Sequence, residues 1–246
     1  MTSEQVKLML LVLLLGLSGC AGRDTDDQVR PPYKARQVWA VAPLHNESGS
    51  LQVNGVRLAD HLTRQLEQAD GIDMLSVNRV IAAMHTLQIE VVADPMDAAR
   101  LSHALDADGL IVGTITGFDP YDPPKLGLAI ELYLDPLSPF YEKALDVRRL
   151  SQAPTDRLSE PLTAHRITRP VSVVSGFYDA ADPAVRHSMQ DYAKHRGVRD
   201  HHELNTQLYR TSMDLYSEFV SHLVARRLLM AEIHRLQPPD VTEPNS

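Results

Sequence analysis

The chain has 246 residues, a formal net charge of −8 at pH 7, and a hydrophobic fraction of 43% with only 5% aromatic residues. That acidic balance excludes nucleic-acid binding by bulk electrostatics. The single cysteine excludes an intramolecular disulfide framework, and the apolar content is enough to build the core of one large domain, or of a small domain with an extension.

Lys7 precedes the run Leu8–Leu15, which is almost entirely Leu, Met and Val, and Leu17-Ser18-Gly19-Cys20 follows. The run is too short to span a bilayer, which takes about 20 residues, and it reads as the apolar region of a signal peptide. Leu17, Ser18 and Gly19 before Cys20 resemble the lipobox of bacterial lipoproteins. The resemblance implies acylation of the Cys20 thiol, cleavage before it, and acylation of the new amino terminus. Several acyl chains, at ~0.8 kcal/mol per buried CH₂, hold a protein on a bilayer almost permanently. Ala21, where a retained inner-membrane lipoprotein carries Asp, implies the outer membrane. Residues 1–19 are thus expected to be removed. Residues 20–36, charged and Pro-containing, read as the lipidated cysteine and a flexible tether.

The elements then follow in order. Gln37–Leu44 is apolar on both faces, Val38, Ala40 and Ala42 on one and Trp39, Val41 and Pro43 on the other, which predicts a central strand. His45–Ser50 is a loop of turn formers. A helix is expected from about Asn54 to Gln68, with Leu58, Leu62 and Leu66 at helical spacing and Gly71 stopping it. Ile72–Val77 reads as a short strand, and Asn78 as the cap of a helix over Arg79–Leu87. Asp94-Pro95 opens another helix with Asp at the N-cap and Pro in the first turn. Leu110–Phe118 is a β-branched strand, and the three prolines of Asp119–Lys125 make a turn. In Leu126–Leu134 every second residue is Leu or Ile, the pattern of a half-buried antiparallel strand. Ala144–Leu150 is assigned as its partner. Val171–Phe177 reads as a strand, Asp182-Pro183 as the start of a helix through Tyr192, and His202–Gln237 as one long helix before a tail at Pro238. The expected fold class is α/β, a mixed sheet flanked by helices. Its domain is assigned to residues 37–150, and residues 151–246 to a mostly helical extension.

Three stretches carry a family resemblance: Val38–Ser50 (VWAVAPLHNESGS), Leu58–Val80 and Ala104–Phe118 (ALDADGLIVGTITGF). They resemble the small α/β domain of curli-secretion (CsgG-like) lipoproteins, of the N-terminal domain of the Tol-system propeller protein, and of lipoprotein activators of penicillin-binding proteins. These motifs are structural rather than catalytic. The chain departs from the pattern at Asp135-Pro136-Leu137-Ser138-Pro139, where the family has a hairpin.

No GxSxG, Walker A, GxGxxG or CxxC pattern occurs, so no catalytic residue and no cofactor is assigned. His201 and His202 are the densest imidazole pair, but adjacent residues point different ways on a helix, unlike the i, i+4 pair of a HExxH zinc site; they read as a polar helix start. Tyr121 and Asp122 lie in the most distinctive exposed turn and are assigned as a partner contact. Tyr209, Met213, Tyr216 and Val220 form a second apolar stripe on the long helix, and are assigned to a partner surface or to self-association into a homo-oligomer. The reading is a non-enzymatic envelope lipoprotein, held in the bilayer through Cys20 and binding an envelope protein partner. A secretion-channel subunit and a metal-dependent hydrolase are the alternatives.

Overall fold

A computed structural model describes residues 33, 35–134, 169–196 and 202–236. It is a mixed α/β fold. The strands are β1 (Gln37–Val41), β2 (His45–Asn46), β3 (Ile72–Met74), β4 (Gly109–Asp119), β5 (Lys125–Leu134) and β6 (Ser172–Asp179). The helices are α1 (Gly55–Leu66), α2 (Val77–Leu87), α3 (Pro95–Leu105), α4 (Pro183–Arg196), α5 (His202–Thr211) and α6 (Met213–Leu236). The sheet order is β3-β1-β4-β5-β6, with β2 pairing β4 beyond the end of β1. The first three strands are parallel, and β4-β5-β6 run antiparallel.

β1 is central, as its two apolar faces predict. Trp39 and Val41 enter the larger core beneath α1 and α6, whereas Ala40 and Ala42 enter a second core under α2 and α3. Gly109 makes room for the indole: a Cβ there would lie 2.8 Å from the Trp39 ring. The alternation in β5 also holds, since Leu126, Leu128, Ile130, Leu132 and Leu134 are all buried. Asn54 caps α1 by accepting from Arg57 N–H, and Asp94 caps α3 by accepting from Asp97 N–H at 2.8 Å.

Several expectations need correction. Ser76, not Asn78, occupies the N-cap of α2, and its side chain makes no capping bond. His45 and Asn46 of the expected loop form a short strand on β4. β5 is bonded on both sides, to β4 and β6; Ala144–Leu150, assigned as its partner, lies outside the described residues. The single helix expected over His202–Gln237 is two. Ser212 separates α5 from α6, its carbonyl accepting from Tyr216 N–H at 2.9 Å as the first residue outside the new helix. Continuous apolar spacing hid this break, because serine carries no strong stop signal. Residues on both sides of position 150 share one core: β6 completes the sheet, and Phe219, Val224 and Leu228 of α6 pack into the cluster that holds Trp39 and Ile130.

Candidate functional site

Cys20 and the lipobox residues Leu17, Ser18 and Gly19 lie outside the described residues, as does His201; His202 begins α5. The structure does describe the point where the chain enters the fold. Tyr33 packs edge-on against Trp39 with ring centroids 5.7 Å apart. Its hydroxyl donates to Oε2 of Glu232 in the last turns of α6, while the Ser172 hydroxyl at the start of β6 donates to Oε1. Arg235 donates to the same carboxylate from Nε at 2.9 Å and from Nη2 at 2.6 Å. Glu232 is fully buried, and a buried carboxylate is tolerated only with such a set of charge-assisted donors. Burial, then the negative charge of Glu232, push the Tyr33 phenol well above its ordinary value, so it stays a donor. Burial would lower the Arg235 guanidinium, but its bonds to Glu232 outweigh that and raise it. This clasp ties the N-terminal segment to the final helix and to β6.

The opposite end of the sheet is the β4–β5 turn. β4 extends from Gly109 to Asp119, about 33 Å at ~3.3 Å per residue, so the turn stands far from the clasp. Tyr121 at its tip is 72% exposed. Asp122 accepts from Arg210 Nη2 of α5 at 2.9 Å. Beside this pair opens a cavity of about 490 Å³ between the turn, α4 and α5; among the described residues Asp122, Arg210, Lys194, Gln190, Gln207, Thr206 and Thr211 line it, with Lys194 paired to Asp191 at 3.0 Å.

The remaining assigned residues are not a surface. Tyr216 and Val220 are fully buried and Tyr209 nearly so, its ring edge-on to Tyr192 at 5.5 Å. Met213 is half-buried, lining a small hollow with Phe118 and His61. The partner-surface assignment is therefore corrected for Tyr209, Tyr216 and Val220: Tyr209 packs on Tyr192 of α4, and Tyr216 and Val220 lie in the core shared with α1 and the sheet, because a helix apolar over more than one face is buried rather than free. On α6 the exposed residues are Arg226, Arg227, Met230 and His234.

Sequence reasoning missed three groups. Glu232 falls three and four residues beyond the buried Leu229 and Leu228, so an acid at core spacing was the available signal. Arg210 reaches Asp122 across 88 positions, for which no local signal exists. His61, on α1, is buried; its Nε2 is 2.9 Å from Asp214 Oδ1 and its Nδ1 2.6 Å from Arg64 Nη2. Burial would raise the Asp214 carboxyl, but His61 and Arg57 outweigh this and hold it below the usual carboxylate range. Both imidazole nitrogens are thereby engaged, Nε2 joining α1 to Asp214 of α6 and Nδ1 meeting Arg64 one turn along α1 itself. Among the described residues no group of three or more His, Cys, Asp or Glu side chains is placed to hold a metal ion, and no helix is long and apolar enough to cross a membrane.

No protein-family model matches this chain, and no curated protein does. Among solved structures it is similar to the LpoB C-terminal domain from Salmonella enterica, at 16% identity over 43% of this chain and 76% of that one, with a TM-score of 0.35. It is similar to lipoprotein GNA1162 from Neisseria meningitidis at 12% identity, over 58% of this chain and 80% of that one, with a TM-score of 0.38. The hypothetical protein CT253 from Chlamydia trachomatis covers more, 82% of this chain and 96% of its own, at 13% identity and a TM-score of 0.33. At these values none of the three carries a functional argument.

Proposed function

We propose that this protein is a bacterial envelope lipoprotein, acylated at Cys20, held on the periplasmic face of the outer membrane, and acting as a non-enzymatic interaction module in envelope assembly, secretion or the regulation of wall synthesis. The observation that carries it is the arrangement Lys7, Leu8–Leu15 and Leu17-Ser18-Gly19-Cys20, with the protein's one cysteine at the position a lipobox requires. The resemblance of Val38–Ser50, Leu58–Val80 and Ala104–Phe118 to the α/β domain of envelope lipoproteins supports it. So does the geometry: the chain enters at the Tyr33–Glu232 clasp, and the exposed Tyr121 turn lies at the other end of the sheet, directed away from an anchor attached through the entry point. The mechanism is tethering. Cys20 to Pro32 is 13 residues, and confinement to the layer within their reach raises the effective concentration at a membrane-bound partner.

The test is in-cell crosslinking of the full chain, with purification and mass analysis, beside a Cys20→Ser variant. The expected result is an acylated N-terminal cysteine and a heterocomplex with wall-synthesis, secretion or trafficking proteins, with the membrane fraction losing the protein in Cys20→Ser. An unacylated monomer without crosslinked partners overturns the reading.

A further inference from the structure

We propose that β6 is an interface to a second copy of this chain, the two β6 strands pairing antiparallel about a two-fold axis at Ser175 so that the two sheets become one. This goes beyond the tethering function and does not depend on the lipid anchor.

The contrast between the two margins of the sheet is the first observation. A strand edge presents a row of unpaired N–H and C=O groups, and proteins that stay monomeric blunt it with shortness, charge or proline. β3, at one margin, has three residues, and its Asp73 is ion-paired with Arg36. β6, at the other, has eight residues and, among the described residues, no ladder partner on its outer side. From Ser172 to Tyr178 it carries no charge and no proline, and Asp179 at its end is engaged by Lys125 at 3.1 Å. Arg227 lies on the α6 side of the strand, above the Tyr178 ring and bonded to its hydroxyl at 3.2 Å, so it does not guard the edge. The second observation is the order of side chains on the open face. Val173, Ser175 and Phe177 alternate with the buried Ser172, Val174 and Tyr178, and Val173 and Phe177 are 56% and 62% exposed. This order is self-complementary. Antiparallel pairing about Ser175 sets Ser175 against its own copy and Val173 against Phe177 of the second chain, twice; hydroxyl pairs and aromatic–β-branched pairs are both favourable across strands. The strand that best matches this order is the order itself reversed, which a second copy supplies at a two-fold axis. The third is the setting of Phe177. A Cβ at Gly117 would lie 2.8 Å from its ring and one at Gly127 3.0 Å, so the ring leans over its own sheet and leaves the free edge clear for an incoming strand.

The test uses the full-length chain carrying Cys20→Ser, in which any added thiol is the only one. Sedimentation is expected to show a reversible dimer. Ser175→Cys should oxidise to a disulfide-linked dimer, because residues opposite each other in an antiparallel ladder stand about 4.5–5.5 Å apart at Cα, within disulfide reach. Val173→Cys and Phe177→Cys should cross-link when mixed with each other and not singly, which reads the register. Thr86→Cys, at an exposed position on α2, should stay monomeric under the same oxidant. Ser175→Lys brings like charges face to face and should weaken the dimer about fivefold, with the circular dichroism spectrum and melting temperature of the chain unchanged. A monomer at every concentration, cross-linking of Val173→Cys alone as readily as in the mixture, or a dimer untouched by Ser175→Lys overturns the proposal.

Discussion

Tyr216 has its ring wholly inside the core, and its hydroxyl is buried with no hydrogen-bond partner among the described residues. The two halves of the side chain thus act in opposite directions. Truncation to alanine removes a large buried ring and is expected to cost about 3–5 kcal/mol, as for other buried aromatics. Tyr216→Phe removes only an unsatisfied polar atom, and stability is expected to stay level or rise. Urea unfolding of the two variants checks both signs; a loss above about 1 kcal/mol in Tyr216→Phe would mean that the hydroxyl has a partner. Asp179 supplies a pH-dependent counterpart. The Ala181 N–H donates to its carboxylate, burial opposes, and Lys125 at 3.1 Å adds its charge, with the net effect of lowering the carboxyl below its ordinary value. A folded-state value below the unfolded one contributes stability that is present above about pH 4 and is lost as pH falls through the folded value. Asp179→Asn should therefore narrow the stability gap between pH 6 and pH 3, measured by denaturant midpoint. An unchanged gap would show that other carboxylates dominate acid unfolding.

At the scale of elements, the clasp and the β1–β4 contact decide most. Glu232→Ala removes the buried carboxylate that Tyr33, Ser172 and Arg235 share, and the loss of one partner from a buried pair costs about 3–5 kcal/mol. The same variant should expose the Tyr33 segment to proteolysis before the core opens, read by limited digestion; cleavage unchanged from the parent would show that Trp39 packing alone holds the segment. Gly109→Ala drives a methyl group to 2.8 Å from the Trp39 ring, and overpacking of that kind costs about 1–3 kcal/mol, visible in a thermal melt. The elements themselves were largely legible, because their causes are local. The two apolar faces of β1, the alternation of β5 and the Asp94-Pro95 start each lie within a few residues. What was not legible depends on distance in sequence. Ser212 interrupts a helix whose apolar spacing runs straight through it, and Tyr33 meets Glu232 across 199 positions. The stripe of Tyr209, Met213, Tyr216 and Val220 was correctly read as apolar, but its partner turned out to be the same chain, since nothing in a helix period says which surface it will cover.

For the molecule as a whole, the division of labour between the two ends of the sheet is the main consequence. One end receives the chain at Tyr33, and the other presents Tyr121, Asp122 and the polar cavity. If the tether sets the working distance, doubling the Ala21–Pro32 segment should lower crosslinking to a membrane-bound partner roughly two- to threefold, since effective concentration falls as about the −3/2 power of length once the span is met. Equal yields at both lengths would place the partner free in the periplasm rather than on the membrane.

The clasp also decides how the fold meets mechanical force. A pull on the chain ahead of Tyr33 passes into β1, which lies between β3 and β4 in parallel register, and through Glu232 into the longest helix. The strain is then applied along the strand axis, so the ladder bonds on both sides of β1 must slide together instead of opening one after another from an edge. A domain pulled through that segment, or by a partner held at the far end, is thus gripped through an interior strand rather than by a loose margin.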